Sequence, residues 1–161
     1  ISSLFDFIGS AELADQFTPG LLPTDRVHIV NFYGSYMINS GWANGLNLGS
    51  NLRVQSGTPI TRYLAHPAYF NAGEIPSGGR GALGKTRVAG VWDLHFDYPW
   101  EITERYRLRG ALDFFNVLNA KRITTVDQFA ELGGPAPNPD FLTPNSYQTP
   151  FAVRFALRFE W

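Results

Sequence analysis

The sequence has no cysteine, which excludes a disulfide framework and a thiolate metal site. Charged residues are scarce, at 17% against about 25% in an ordinary soluble domain. Thirteen basic residues nearly balance fourteen acidic ones, so net charge indicates neither a nucleic acid nor an anionic membrane surface as partner. No run reaches the roughly 18 apolar residues that a membrane-spanning helix needs.

Motifs that carry chemistry are equally sparse. Gly79–Thr86 (GRGALGKT) matches the phosphate-loop pattern, but such a loop needs a buried strand before it and a helix after it. Neither context is present, so a flexible glycine-rich loop is predicted. No GxSxG occurs, and His28, His66 and His95 lack metal-ligand spacing. The sequence predicts no catalytic residue, no metal site, no cofactor and no enzyme.

Alternation of apolar and polar residues is abundant, and it is clearest in the final segment, Phe151–Trp161 (FAVRFALRFEW). Every second residue is apolar, and Arg154, Arg158 and Glu160 lie between. A β-strand sends alternate side chains to opposite faces, so the segment is predicted to be a strand with one apolar and one charged face. It resembles the last strand of a bacterial outer-membrane β-barrel.

Five segments are predicted to be strands, near residues 26–39, 45–57, 90–100, 105–117 and 151–161. They are roughly 10 to 12 residues long, which crosses a bilayer at a tilt, whereas soluble strands average about 5 to 6. Their connections alternate between short turns and long loops rich in glycine and proline, as in outer-membrane barrels with short periplasmic turns and long extracellular loops. The short turns are predicted at 40–45 and 101–104, and the extracellular loops at 58–88 and 118–150. Residues 1–24 are predicted to be a loop, with a strand tail at Ile1–Ile8.

The predicted fold is therefore all-β, with antiparallel transmembrane strands. Five strands are too few, because a closed barrel needs about eight and an open edge in lipid leaves backbone groups unpaired. The chain, which begins at Ile1 without a methionine, is expected to be a processed product or a fragment. We expect the C-terminal segment of a larger barrel, or a sheet completed by other chains.

The alternation divides the strand residues between two surfaces. Polar residues on one face are predicted to face the barrel lumen: Asn51, Arg53, Gln55, Asp93, His95, Asp97, Arg107, Arg109, Asp113, Arg154 and Arg158. Aromatic residues near the short turns are predicted to form an interfacial girdle: Tyr36, Trp42, Tyr98, Trp100, Tyr106 and Trp161.

Two sets of polar residues have alternative interpretations. Asp93, His95 and Asp97 share a face and suit a lumenal metal or proton site, but polar residues on the lumen side are the default in a barrel. The arginines of the last two strands suit an anion-attracting lumen or a seat for a plug. A salt-bridge ladder is the favoured interpretation, since barrel interiors need charge pairing: Arg105, Arg107, Arg109, Arg154 and Arg158 with Asp93, Asp97, Asp113 and Glu160.

Four runs of the sequence resemble the C-terminal barrel of TonB-dependent outer-membrane receptors. They are GLLPTDRVHIVNFYGSY (20–36), NLRVQSGTPITRY (51–63), RLRGALDFFNVLNAKR (107–122) and YQTPFAVRFALRFEW (147–161). The third carries an FNxxN element at Phe115, Asn116 and Asn119. The first is similar to the Oar-like branch, whose members carry a carboxypeptidase-regulatory-like N-terminal domain.

The resemblance implies a location in the bacterial outer membrane. It also implies uptake, or occasionally export, of an unidentified ligand through a barrel of about 22 strands with an internal plug. The implied partners are outer-membrane lipid, the remaining strands and plug of the same barrel or other chains, and the TonB system through an N-terminal segment that this sequence lacks.

The sequence is also compatible with two other functions. One is a structural β-barrel subunit of a multi-chain envelope complex that transports nothing. The other is a soluble, lipocalin-like binding barrel, in which the apolar face would point inward. Aromatic residues in the long loops either meet a ligand or lid or pack on one another: Tyr63, Tyr69, Phe70, Phe129, Phe141 and Tyr147.

Overall fold

The computed structural model describes residues 20–161, so the predicted strand tail at Ile1–Ile8 lies outside the described residues. The strands of this range, in chain order, are β1 Ile29–Met37, β2 Asn47–Gln55, β3 Arg62–Leu64, β4 Ile75–Ser77, β5 Ala89–Glu101, β6 Arg107–Phe115, β7 Ile123–Val126, β8 Glu131–Gly133, β9 Ala136–Pro137, β10 Pro144–Tyr147 and β11 Ala152–Glu160. No helix among the described residues is long and apolar enough to cross a membrane.

The chain divides into two compact units. The sheet unit comprises residues 28–55, 89–121 and 148–161, and the described part of the loop unit comprises residues 20–27 and the long connections 56–88 and 122–147.

The sheet unit is one antiparallel sheet of five strands in the order β1-β2-β5-β6-β11. This confirms the predicted all-β fold with five long antiparallel strands. The remaining strands of the described range, which the sequence did not predict, are short and lie in the loop unit.

One face of this sheet is apolar along its whole width. A row of directly opposed residues crosses all five strands and contains Tyr36, Leu48, Phe96, Leu112 and Phe155. The apolar side chains of the two edge strands remain open, with Phe32 64% and Phe155 62% exposed. A continuous exposed apolar surface of this kind indicates contact with another molecule or with lipid.

Two short turns join neighbouring strands at one end of the sheet. In the first, the Ile38 amide donates to the Leu46 carbonyl at 2.9 Å, and Gly45 adopts a φ of 90° that favours glycine. In the second, the Tyr106 amide donates to Thr103 Oγ1 at 3.1 Å. Because β11 is antiparallel to β6, its final residues lie at this same end.

In its described residues the loop unit contains three two-stranded sheets, β3-β4, β7-β10 and β8-β9, where the sequence predicted only loops. Side chains far away in sequence satisfy its backbone: Gln128 Oε1 accepts from the Thr61 amide at 2.6 Å, and Glu131 Oε2 accepts from the Ala65 amide at 2.8 Å. Tyr63 is buried, with the ring of Phe129 against it at 6.3 Å between centroids. Long-range contacts of this kind leave no periodic signal in the sequence.

The glycine-rich segment Gly79–Thr86 belongs to the loop unit. Its backbone pairs with the preceding segment, because the Leu83 amide donates to the Ile60 carbonyl and the Thr86 amide donates to the Thr58 carbonyl. The Gly81 amide donates to Thr61 Oγ1 at 2.8 Å. No helix follows Gly79–Thr86 within the described range, and these amides donate hydrogen bonds within the loop unit.

Candidate functional site

The strand registers place every residue predicted for the lumen on one face of the sheet, opposite the apolar face. One row on this face crosses all five strands and contains Ser35, Gly49, His95, Asp113 and Arg154. The others follow at alternate positions of the same strands: Asn51, Arg53, Gln55, Asp93, Asp97, Arg107, Arg109 and Arg158.

His95 lies at the centre of this polar face, between two carboxylates. Its Nδ1 is 2.6 Å from Asp113 Oδ1, and its Nε2 is 3.1 Å from Asp97 Oδ2. Opposite His95 on β2 is Gly49, where an added Cβ would lie 3.1 Å from the His95 Cβ. Glycine at position 49 therefore leaves room for the His95 side chain.

The two carboxylates connect His95 to further groups. Asp113 Oδ2 accepts from Arg154 Nε at 2.8 Å, and Asp97 Oδ2 accepts from Asn47 Nδ2 at 2.9 Å. Both side chains are sheltered, with 12% of the Asp113 and 14% of the Asp97 side chain exposed. Sheltered charges of this kind are stable only when paired and hydrogen-bonded, as these are.

Of the alternative grouping of Asp93, His95 and Asp97, the structure brings His95 and Asp97 together but not Asp93. Asp93 Oδ1 accepts from the Asn116 amide at 2.9 Å, and Asp113 takes the place beside His95. Within residues 20–161, no group of His, Asp and Glu residues is arranged to hold a metal ion.

The arginines form ion pairs, as the favoured interpretation of the sequence held, but with a partly different set of acids. Arg107 lies 3.3 Å from Glu101, and Arg158 lies 3.3 Å from Glu160. Glu101 thus joins the ladder where Asp93 was expected. Arg105 lies outside this ladder, with its guanidinium 5.9 Å from the ring centroid of Tyr106.

Asn51, Arg53 and Gln55 lie on the β1 side of the polar face, away from the ion pairs. Asn51 is opposite Asp93 on β5 and Tyr33 on β1. Arg53 is opposite Val91 and Asn31, so its row carries one charge. The polar face therefore has a charged half on β5, β6 and β11 and a largely neutral half on β1 and β2.

The aromatic residues predicted for a girdle lie toward the short-turn end of the sheet. Tyr98 and Trp100 pack edge to face at 5.3 Å between centroids, and Phe159 stacks on both Tyr106 and Trp161. The Trp100 ring lies over Gly110, where a Cβ would meet it at 2.6 Å. Tyr36 lies at the end of β1, and Trp42, in the first turn, is 93% exposed.

Sequence reasoning missed the structural role of Asn116, although the FNxxN spacing marked it. Its side chain is almost fully buried, and its φ is 49°. Nδ2 donates to the carbonyls of Ala120 at 3.2 Å and Thr149 at 2.7 Å, and Oδ1 accepts from the Ala120 amide at 3.1 Å. Asn119 Oδ1 accepts from the Phe151 amide at 3.2 Å. The two asparagines therefore join the end of β6 to the start of β11.

Comparison with known proteins shows what the chain is similar to. No protein-family model matches the sequence, and no solved structure matches it. The chain is 30% identical over 196 aligned positions to the TonB-dependent transporter Oar of Myxococcus xanthus, covering 99% of the chain and 18% of that relative. The chain thus spans less than a fifth of the relative's length, and the match confirms the resemblance carried by the four sequence runs.

Proposed function

Because the chain belongs with the TonB-dependent transporters of the Oar-like branch, we propose that it forms five neighbouring strands near the C-terminus of a receptor barrel in the bacterial outer membrane. The barrel would move a ligand across that membrane with energy supplied through TonB. The observation that carries the proposal is one sheet with an open apolar face and a charged, ion-paired opposite face.

The dimensions and exposure of the apolar face are consistent with contact with lipid. The five long strands contain 9 to 13 residues, and a tilted membrane-spanning strand needs about 9 to 11. The large apolar-face side chains of β1 and β11 are 44% to 68% exposed, which in water would favour aggregation. Aromatic rings at one end of the sheet suit the membrane interface.

The composition of the polar face is consistent with a surface inside a barrel. Barrel interiors are polar, and their charges are expected to be paired when water is limited. Asp97 and Asp113 are sheltered and paired, as such an interior requires. A soluble lipocalin-like barrel would put the apolar side chains inside instead, which the exposure of Phe32, Phe155 and Leu157 argues against.

The two open edges of the sheet are consistent with its being part of a larger barrel. Strands β1 and β11 each have one neighbour in the sheet, so each presents a row of unpaired backbone groups. In a membrane those groups require further strands. In the proposed orientation the short turns face the periplasm, and the long connections 58–88 and 118–150 face the outside.

The experiment uses the full-length protein and the purified periplasmic domain of TonB as probe. We expect the protein to fractionate with the outer membrane and to retain the TonB domain in a pull-down. Outer-membrane location without TonB binding would favour a structural subunit of an envelope complex. Solubility without detergent would contradict the proposal.

A further inference from the structure

Arg109 on β6 lies directly opposite Arg158 on β11, on the polar face of the sheet. Directly opposed side chains in an antiparallel pair have Cβ atoms about 4.5–5.5 Å apart, and like charges there are destabilising. The third residue of this row, on β5, is Pro99, so no carboxylate lies in the row itself. Some other feature must offset the repulsion between the two adjacent guanidinium groups.

The nearest acids do not bridge the two arginines. Asp97 Oδ1 is 3.6 Å from Arg109 Nε and lies on the β5 side, away from β11. Glu160 Oε1 is 3.3 Å from Arg158 Nε and lies along the same strand. Neither guanidinium donates a hydrogen bond to any of the described residues. Their terminal nitrogens are therefore available to a ligand.

The surroundings of Arg109 and Arg158 leave space for a bound ligand. The next row along β6 and β11 consists of the opposed alanines Ala111 and Ala156, whose side chains are single methyl groups. The side chains of Arg109 and Arg158 are 48% and 74% exposed, so an anion reaches them from the polar side without a rearrangement of the sheet.

We propose that Arg109 and Arg158 form an anion clamp that binds one carboxylate or phosphate group between their guanidiniums. The planar guanidinium fork matches either oxyanion in a bidentate fashion, and two forks surround it. The group comes either from an acidic side chain of the same protein or from a free anion in the interior. The inference requires only the β6–β11 register, so it stands or falls separately from the transport proposal.

The test measures the thermal unfolding midpoint of the full-length protein in detergent micelles, with inorganic phosphate replacing chloride at constant ionic strength. The informative variant is Arg158→Gln, because it removes one exposed ion pair of little worth and leaves Arg109 with Asp97. The matched control is Arg107→Gln, which also loses one exposed pair but has Glu160, not an arginine, opposite it.

Two outcomes support the clamp and distinguish its sources. A free-anion site gives a midpoint that rises with phosphate in wild type and in Arg107→Gln, but not in Arg158→Gln, since a ligand stabilises only the state that binds it. An internal carboxylate gives no response to phosphate, and Arg158→Gln then unfolds at a lower temperature than Arg107→Gln.

Two other outcomes overturn it. Without a bound anion, Arg158→Gln relieves repulsion, so its midpoint equals or exceeds that of wild type and phosphate changes neither protein. A phosphate response of equal size in wild type and Arg158→Gln would show that the anion acts elsewhere. If Arg158→Gln does not assemble, Arg158→Lys replaces it, because lysine keeps the charge and loses the bidentate fork. The clamp then predicts a weaker phosphate response in Arg158→Lys than in wild type. An undiminished response would contradict the clamp.

Discussion

Asn116 Nδ2 donates a hydrogen bond to the carbonyl oxygen of Thr149 at 2.7 Å, across 33 residues of sequence. This bond fixes the point at which the chain enters the last strand of the sheet. The same residue adopts a positive φ that asparagine tolerates better than most residues. The FNxxN element thus has a physical task, which is to set the register of β11 against β6.

Replacing Asn116 with alanine is expected to destabilise the protein by about 1–3 kcal/mol, because buried polar partners lose their hydrogen bonds. Register is measured with the cysteine pair Ala111→Cys and Ala156→Cys, which are directly opposed in the native sheet. We expect less disulfide between them in the Asn116→Ala background. Asn31→Ala, at an exposed position of β1, is the control and should leave the crosslink unchanged. Full crosslinking with Asn116→Ala would show that the asparagine does not set the register.

Placing an arginine on the apolar face should be far more costly than placing one on the polar face. Leu52 lies in an apolar row between Phe32 and Trp92, so Leu52→Arg should cost about 2–4 kcal/mol if that face meets lipid. Asn51→Arg, one residue away on the opposite face, should cost much less. Both free energies come from reversible unfolding in lipid vesicles. Equal costs would mean that the faces are wrongly assigned.

Gly110 provides the space in which the Trp100 ring lies. A Cβ at this position would come within 2.6 Å of that ring, so Gly110→Ala must displace it and should cost about 1–3 kcal/mol. Gly34 on β1 has no atom within 4 Å of an added Cβ, which makes Gly34→Ala the matched control. The midpoint of denaturant unfolding and the tryptophan emission report the effect. An unperturbed Gly110→Ala protein would contradict the packing of Trp100 over Gly110.

Because Tyr63 in the loop unit is buried, we expect the protein to lose stability in alkaline solution. Burial raises the pKa of its phenol above the ordinary value of 10.0, and a contact with Thr61 offsets part of that rise. The folded protein therefore keeps the proton where the unfolded chain releases it. The stabilisation is complete below pH 10 and is lost as the pH rises from there through the folded pKa.

Limited proteolysis of the long connections between pH 9 and 11 measures this effect. Tyr63→Phe should remove part of the alkaline increase in cleavage, since phenylalanine does not ionise. Tyr147→Phe, at an exposed position, should retain the whole increase. Identical pH profiles for wild type and Tyr63→Phe would exclude this tyrosine as the cause.

The strands and their faces were predictable because period-two alternation persists over nine or more residues. In β2, Leu48, Leu52 and Val54 alternate with Asn51 and Arg53, and the observed register keeps that separation. The partners on the polar face were less predictable, because they depend on the register between strands. Glu101, not Asp93, entered the ion-pair ladder because the β5–β6 register puts Glu101 opposite Arg107.

The loop unit was not predictable from alternation. Its strands contain two to four residues, too few for a periodic pattern to be recognised. Their backbone groups are satisfied by side chains such as Gln128 and Glu131, which lie more than 60 residues away from their partners. The sequence leaves open whether Phe129 meets a ligand or packs on other loop aromatics, and the structure shows it packed on Tyr63.

The most direct measurement compares two neighbouring residues of β2 in the outer membrane. Leu52→Cys and Arg53→Cys, each in the full-length protein without other cysteines, are exposed to a membrane-impermeant charged maleimide in isolated outer membranes. The proposed barrel predicts rapid labelling of Arg53→Cys from the aqueous interior and no labelling of Leu52→Cys until the protein is unfolded. Equal labelling of both, or labelling of Leu52→Cys alone, would contradict an apolar face in lipid and a polar face in water.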